Sequence, residues 1–137
     1  MLRKIVLGAT ALALTASPAS VGAETFGFNL SLTVPVVCEI RFRPLGAVGE
    51  APQGVPLGQI NEFCNAPGGY ELVVNYEPGS MQGAVISAGE DQVVLNGSGQ
   101  AVLSRSPGPR NRARVLSATP GAQGFDTDRL DLRLQPV

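Results

Sequence analysis

Short apolar runs separated by turn-forming residues are the feature that most restricts the fold of this chain. Runs rich in Val, Leu and Ile recur roughly every ten residues between clusters of Gly, Pro, Asn and Asp. The chain contains 17 Gly and 11 Pro, and beyond its first residues no stretch repeats apolar residues at helical spacing over several turns. This pattern predicts an all-β protein, a sandwich or barrel in which helices are minor elements.

The apolar runs also give the approximate positions of the strands. We predict strands near residues 25–34, 36–43, 57–63, 69–76, 83–87, 92–96, 100–105, 112–117 and 128–134. The segment from Pro44 to Pro56 is the longest predicted loop, because its prolines cannot donate the hydrogen bonds of a central strand. Asn96 and Gly97 predict a tight hairpin, and the segment 77–80 (Glu-Pro-Gly-Ser) predicts a turn. We find no internal repeat and no second domain.

The first 23 residues have the form of a secretory signal peptide. Arg3 and Lys4 form a basic head, and the apolar segment from Ile5 to Ala16 is too short to span a bilayer. The small or aliphatic residues at 21–23 predict cleavage after Ala23. We therefore expect a mildly acidic mature chain that is exported to a Gram-negative periplasm and is not inserted into a membrane.

The two cysteines predict one disulfide, Cys38 to Cys64. The loop that it closes is expected to stabilise the fold by about 3 to 4 kcal/mol on the chain-entropy argument. A redox or metal role would need closely spaced cysteines or added His ligands, and the chain has no His.

Residue usage argues against an enzyme. Without His the chain lacks the commonest general base and the usual partner of a nucleophilic Ser or Cys, and its single Lys, Lys4, leaves with the signal peptide. Asp126, Asp128 and Asp131 cluster near the last strand. We interpret them as solvated turn and strand acids, with a weak calcium site as the alternative. No cofactor is expected.

A basic cluster surrounds a Pro-Gly turn late in the chain. It consists of Arg105, Arg110, Arg112 and Arg114. Such a cluster can contact an anionic glycan or a nucleic acid, but it lacks interleaved aromatic residues and belongs to an acidic chain. We interpret it as a solvated hairpin and expect no nucleic-acid partner.

A strand-like segment directly follows the predicted signal peptide. Its apolar residues alternate with small or polar ones, which is the period of a strand with one apolar face. They are Phe26, Phe28, Leu30, Leu32 and Val34. Burying these side chains is worth about 7 to 15 kcal/mol as an upper bound, so the segment is expected to pack against its own domain or against another molecule.

The order of these features resembles that of the spore coat protein U domain, a family that includes subunits of archaic chaperone-usher pili. The resemblance rests on the alternating segment after the signal, on Cys38 closing it, on the stretch F-C-N-A-P-G-G-Y-E-L-V-V-N-Y around Cys64, and on the final G-F-D-T-D-R-L-D-L-R-L-Q-P. It covers nearly the whole mature chain, although the Tyr-rich middle strand common in the family is not evident in residues 100–105.

The resemblance implies an immunoglobulin-like, pilin-like sandwich that lacks one strand and is completed by a donated one. In such pilins a periplasmic chaperone fills the open groove during export, and the N-terminal extension of the next subunit then replaces the chaperone. The implied organisation is a signal peptide at 1–23, a donor-strand-like extension at 24–35 and a sandwich domain at 36–137. The implied function is that of a subunit of a surface fibre with a role in adhesion or biofilm, assembled by an outer-membrane usher.

Two other hypotheses stay open at this point. The chain can be a self-contained exported sandwich that binds a ligand or a protein partner, or, less favoured, an enzyme. Pro35 fits both structural readings, because a residue without an N–H can mark the junction between a donor arm and the domain or can kink a first strand between two sheets.

Overall fold

The structure is a computed structural model that describes Gly22, residues 25–44 and residues 54–137. Apart from Gly22, the predicted signal peptide lies outside the described residues, and so do residues 45–53 of the predicted loop. The described residues form β1 (Cys38–Pro44), β2 (Val55–Cys64), β3 (Tyr70–Tyr76), β4 (Val85–Ala88), β5 (Asp91–Val94), β6 (Gln100–Ser106), β7 (Arg110–Thr119) and β8 (Leu130–Pro136). A single 3-10 turn, Thr127–Arg129, precedes β8.

The strands form two antiparallel sheets. One has the order β1-β2-β7-β4-β5 and the other the order β6-β3-β8. The sheets face each other so that β1 lies beside β8 at one margin and β5 lies beside β6 at the other. The predicted all-β sandwich is confirmed, and the strands predicted from residue 36 onwards are all present with shifted ends.

The core fills the space between the sheets. Its fully or nearly fully buried apolar side chains are Ile60, Leu72, Val74, Tyr76, Met81, Ala84, Ile86, Ala88, Leu95, Leu103, Leu116 and Ala118. A smaller cluster at one end contains Cys64, Ala66 and Tyr70. The alternation along β2 explains part of this arrangement, because Ile60 and Cys64 share the inward face while Phe63 is turned to solvent.

The disulfide prediction is confirmed. Cys38 and Cys64 are bonded, and they are directly opposite each other in the antiparallel pairing of β1 with β2. The bond therefore joins the beginning of the first strand to the end of the second.

The strand predicted at residues 25–34 is not formed. Residues 25–37 have no regular secondary structure, and the apolar side chains of the alternating segment are exposed to solvent. A strand needs a partner for its backbone N–H and C=O groups, and alternation in the sequence does not supply one.

The hairpin predicted at Asn96 and Gly97 is also wrong. β5 pairs with β4 whereas β6 pairs with β3, so the chain crosses from one sheet to the other at this point. The tight hairpin joins β4 to β5 through Gly89 and Glu90, with Gly89 at φ 61°, a conformation that favours glycine. The predicted turn at 77–80 is confirmed by a hydrogen bond from the Ser80 N–H to the Glu77 carbonyl, 3.0 Å long.

The loop predicted from Pro44 to Pro56 ends two residues earlier than expected. Val55 and Pro56 already belong to β2, which is an interior strand of its sheet. The pairing of β2 with β7 is irregular between Pro56 and Gly58. A proline can be accommodated at such an irregularity, because the regular hydrogen-bond pattern of the ladder is interrupted there.

Candidate functional site

An apolar groove runs along the margin where β1 and β8 lie side by side. Each of these strands is the last one in its sheet, and the groove between them has a volume of about 300 Å³. It is lined by Ile40, Phe42, Leu57, Leu116, Thr127, Leu130, Asp131 and Leu132. Within the described part of the chain no strand is inserted between β1 and β8.

The apolar side chains of the groove come from the inward faces of strands. Leu130, Leu132 and Leu134 alternate with exposed polar residues along β8, as the sequence predicts. All three are only partly buried, although they pack against the core. On the opposite wall Phe42 keeps 50% of its surface exposed. Apolar side chains at the centre of a sandwich are usually covered, so this margin lacks a covering element among the described residues.

The backbones of β1 and β8 add a second feature to the groove. β1 is paired only with β2, and β8 only with β3. Each strand therefore has a row of N–H and C=O groups that no strand of the described chain satisfies. An extended peptide that lay in the groove could take up these hydrogen bonds and could cover the apolar side chains with alternate residues of its own.

The residues predicted to form a donor strand are among the most exposed apolar residues in the structure. Phe28 is 94% exposed and Leu30 is 93% exposed, and Phe26, Leu32 and Val34 are also exposed. Apolar side chains that are exposed to this extent are costly in water.

A buried charge cluster, which sequence reasoning missed, lies at the disulfide end of the sandwich. The Glu62 side chain on β2 is fully buried and accepts hydrogen bonds from Arg114 Nε at 2.6 Å and from Arg112 Nε at 3.1 Å. The Tyr70 hydroxyl on β3 donates to Glu62 Oε2 at 2.9 Å. Because β2 and β7 belong to one sheet and β3 to the other, these bonds tie the two sheets together.

Arg114 carries most of the remaining contacts of the cluster. Its Nη1 donates to Asp91 Oδ2 at 2.6 Å and to the Ala88 carbonyl at 3.1 Å, and its Nη2 donates to Ser104 Oγ at 2.8 Å. The signal that could have revealed the cluster is the position of Glu62, which lies between Ile60 and Cys64 on the same inward face of β2. A carboxylate at such a position requires cationic partners.

The environment of the cluster shifts two pKa values. Burial, followed by the hydrogen bond and charge of Glu62, raises the pKa of Tyr70. Burial disfavours the charge of Arg112, but the attraction and the hydrogen bond of Glu62 outweigh it and raise the pKa of Arg112. The raised pKa of Tyr70 thus comes chiefly from burial, whereas the raised pKa of Arg112 comes from the charge and hydrogen bond of Glu62.

The interpretation of the basic cluster as a solvated hairpin is therefore wrong. β6 and β7 belong to different sheets, so Arg105 does not share a hairpin with the arginines of β7. Arg112 and Arg114 face the interior and bind Glu62. Arg105 is exposed and pairs with half-buried Glu71, and Arg110 is exposed. The arrangement stabilises the fold and presents no continuous basic surface made of all four arginines.

The acidic residues near β8 have local partners. Asp126 accepts a hydrogen bond from the Asp128 N–H at the start of the 3-10 turn and pairs with Arg129, and Asp131 pairs with Arg133. Residues 25–44 and 54–137 contain no cluster of three or more His, Cys, Asp or Glu side chains that could hold a metal ion. In the same ranges no helix has the length and apolar character needed to cross a membrane.

No protein family, curated protein or solved structure shows significant similarity to this chain.

Proposed function

We propose that this protein is a structural subunit of a secreted surface fibre, in which each copy inserts its residues 24–34 into the β1–β8 groove of a neighbouring copy. One combination of features supports this function best. The same chain has an exposed segment with a single alternating apolar face and an apolar groove between two edge strands. The groove can cover the apolar face of the segment, and the segment can provide the strand that the groove can accommodate.

The physical basis is the addition of a strand to an incomplete sandwich. An inserted segment would pair its backbone with the free edges of β1 and β8, and its alternate side chains would cover Ile40, Phe42 and Leu132. Removing five large apolar side chains of the segment from water would contribute about 7 to 15 kcal/mol as an upper bound. Ordering the segment costs about 1 to 2 kcal/mol per residue, so the hydrogen bonds to the two strand edges and the burial of the apolar side chains of the groove must contribute as well.

The same arrangement explains why a fibre forms and not a closed dimer. The donated segment and the groove are different surfaces, so the contact between copies is heterologous. Each copy that has donated its segment still has a groove to fill, and an arrangement that does not close on itself extends as a filament.

The remaining elements of the proposal come from the resemblance to chaperone-usher pilins. It implies a periplasmic chaperone that covers the groove during export and an outer-membrane usher that assembles the copies. The mature chain would pass through the periplasm, would not insert into the membrane, and would end in a fimbrium at the cell surface with a role in adhesion or biofilm. The disulfide fits an oxidising compartment of this kind.

A matched pair of substitutions in the segment tests the function. Leu30→Lys places a charge among the apolar side chains of the groove, where the acidic residue Asp131 already pairs with Arg133. Asn29→Lys adds the same charge to the outward face. We expect the mature Leu30→Lys protein to stay monomeric or chaperone-bound and the Asn29→Lys protein to polymerise like the wild type, as measured by light scattering and electron microscopy.

A synthetic peptide of residues 24–34 provides the complementary test. It should bind the Leu30→Lys protein, whose groove is intact, and the same peptide with Leu30→Lys should bind far more weakly. If the wild-type protein is a stable monomer that neither polymerises nor binds the peptide, the fibre function is wrong.

A further inference from the structure

Asn65 holds the residues that join the predicted donor segment to β1. Its Nδ2 donates a hydrogen bond to the Pro35 carbonyl at 2.9 Å, and its Oδ1 accepts one from the Val37 N–H at 2.6 Å. Its backbone N–H also donates to the Val37 carbonyl at 3.1 Å. Asn65 is thus bonded at three points to a short segment that has no regular secondary structure.

The register of β1 and β2 explains why a side chain is needed here. Cys38 is opposite Cys64, so the continued register places Val37 opposite Asn65 and Pro35 opposite Pro67. In an antiparallel ladder the next hydrogen bond to the Pro35 carbonyl would come from the N–H of residue 67. Pro67 has no N–H, and the Asn65 amide takes its place.

Asn65 is itself held in place by its neighbours. Cys64 is bonded to Cys38, and Ala66 is buried beside Tyr70. The Gly69 N–H donates to the Ala66 carbonyl at 3.1 Å, which closes the turn that follows β2. Because its neighbours in the chain are held in place, the Asn65 side chain can fix the backbone of Pro35 and Val37, to which it is hydrogen-bonded.

We infer that Asn65 is a positioning residue for strand donation. It continues the β1–β2 ladder through Pro35, so that the donor segment begins in line with β1. To fill its own groove, the chain would have to reverse between Val34 and Cys38, and the hydrogen bonds of Asn65 to Pro35 and Val37 oppose that reversal. The inference rests on the proposed function and adds to it a residue that lies outside both the segment and the groove.

The test separates donation from acceptance in the full-length mature chain. Donation is measured as the polymerisation rate of the Asn65→Ala protein. Acceptance is measured as the affinity of the synthetic peptide 24–34 for a Leu30→Lys protein with and without Asn65→Ala. Asn111→Ala, an exposed Asn on β7, is the matched control. Asn65→Asp keeps the acceptor for Val37 and loses the donor to Pro35, and its polymerisation rate should lie between those of Asn65→Ala and the wild type.

We expect Asn65→Ala to slow polymerisation about tenfold, the effect of losing one or two hydrogen bonds at the root of the segment, with peptide affinity unchanged. Polymerisation at the wild-type rate, or an equal loss of polymerisation and peptide affinity, overturns the role of Asn65 and leaves the fibre function intact. Failure of the peptide to bind even the Leu30→Lys protein that retains Asn65 overturns the fibre function and this inference with it.

Discussion

The two margins of the sandwich are built from similar residues and differ in what covers them. At the β5–β6 margin the chain itself crosses from one sheet to the other, and Leu95 in this crossing is fully buried. Hydrogen bonds from the Leu95 N–H to Ala84 and from the Gly83 N–H to Leu95, both 2.8 Å long, extend the pairing past the end of β5. At the β1–β8 margin Leu132 has an equivalent apolar side chain but remains partly exposed.

The difference shows that an open margin results from connectivity and not from composition. Leu95 and Leu132 are the same residue type, and both pack in the core between the sheets. Only the first is followed by a chain segment that closes the margin. We predict that Leu132 becomes as fully buried as Leu95 when a strand from another copy fills the groove.

The largest expected effect concerns the sheet that forms one wall of the open groove. If this sheet is ordered before any strand is donated, the Glu62→Ala protein should lose about 3 to 5 kcal/mol of unfolding free energy, because the substitution removes the buried carboxylate that half-buried Arg112 and nearly buried Arg114 share. Urea denaturation of the monomeric Leu30→Lys protein measures this. Glu71→Ala, which breaks the pair with the exposed Arg105, should cost less than about 1 kcal/mol. Similar losses in the two variants would show that the wall is not ordered in the monomer.

The next effect compares the two margins directly. Leu95→Ala should cost about 2 to 5 kcal/mol, the range for a fully buried Leu. Leu132→Ala should cost only about 1 to 2 kcal/mol in the Leu30→Lys monomer, since part of its surface is already exposed, and more once the peptide 24–34 is bound. Denaturation of both variants with and without peptide measures the change. A Leu132 loss that is as large as the Leu95 loss without peptide would show that the groove is not open.

A smaller effect is a dependence of stability on pH. The pKa of Tyr70 is raised above its ordinary value of 10.0 in the folded protein, chiefly by burial. Below about pH 10 the phenol is neutral in both states and its contribution to stability is complete; above that pH the unfolded chain ionises first, so stability falls as the pH rises through the folded pKa. Denaturation at increasing alkaline pH should show this fall, and Tyr70→Phe should reduce it. If the stability of the Tyr70→Phe protein falls as much as that of the wild type, other titrating groups cause the fall.

The smallest effect is expected on the outer face of β8. Arg133 is exposed and pairs with Asp131 on the same strand. Arg133→Ala should change the unfolding free energy by less than about 0.5 kcal/mol, with or without peptide. A loss equal to that of Leu132→Ala would show that the assumed inward and outward faces of β8 are wrong.

The sequence predicted the strands well because their signals are local. Alternation and turn residues placed β1 to β8, and cysteine usage placed the disulfide. The pairing of β5 and β6 could not be predicted, since Asn96 and Gly97 suit a hairpin and a crossing between sheets equally well. Glu62 was missed because its partners on β7 are distant in the chain. The groove itself depends on which strands become the edges of the sheets, and local patterns do not contain that information.

Cross-linking between two differently labelled copies tests the central claim most directly. One full-length protein carries a cysteine at an inward position of the segment, Phe26→Cys, Phe28→Cys, Leu30→Cys or Leu32→Cys, and the other carries Leu132→Cys in the groove. After mild oxidation of the mixture, we predict a disulfide between the two proteins for at least one inward position and little for Asn29→Cys, which faces outward. The contradicting result would be no bond between copies at any inward position, together with a bond inside one chain when the same two cysteines are placed in one protein.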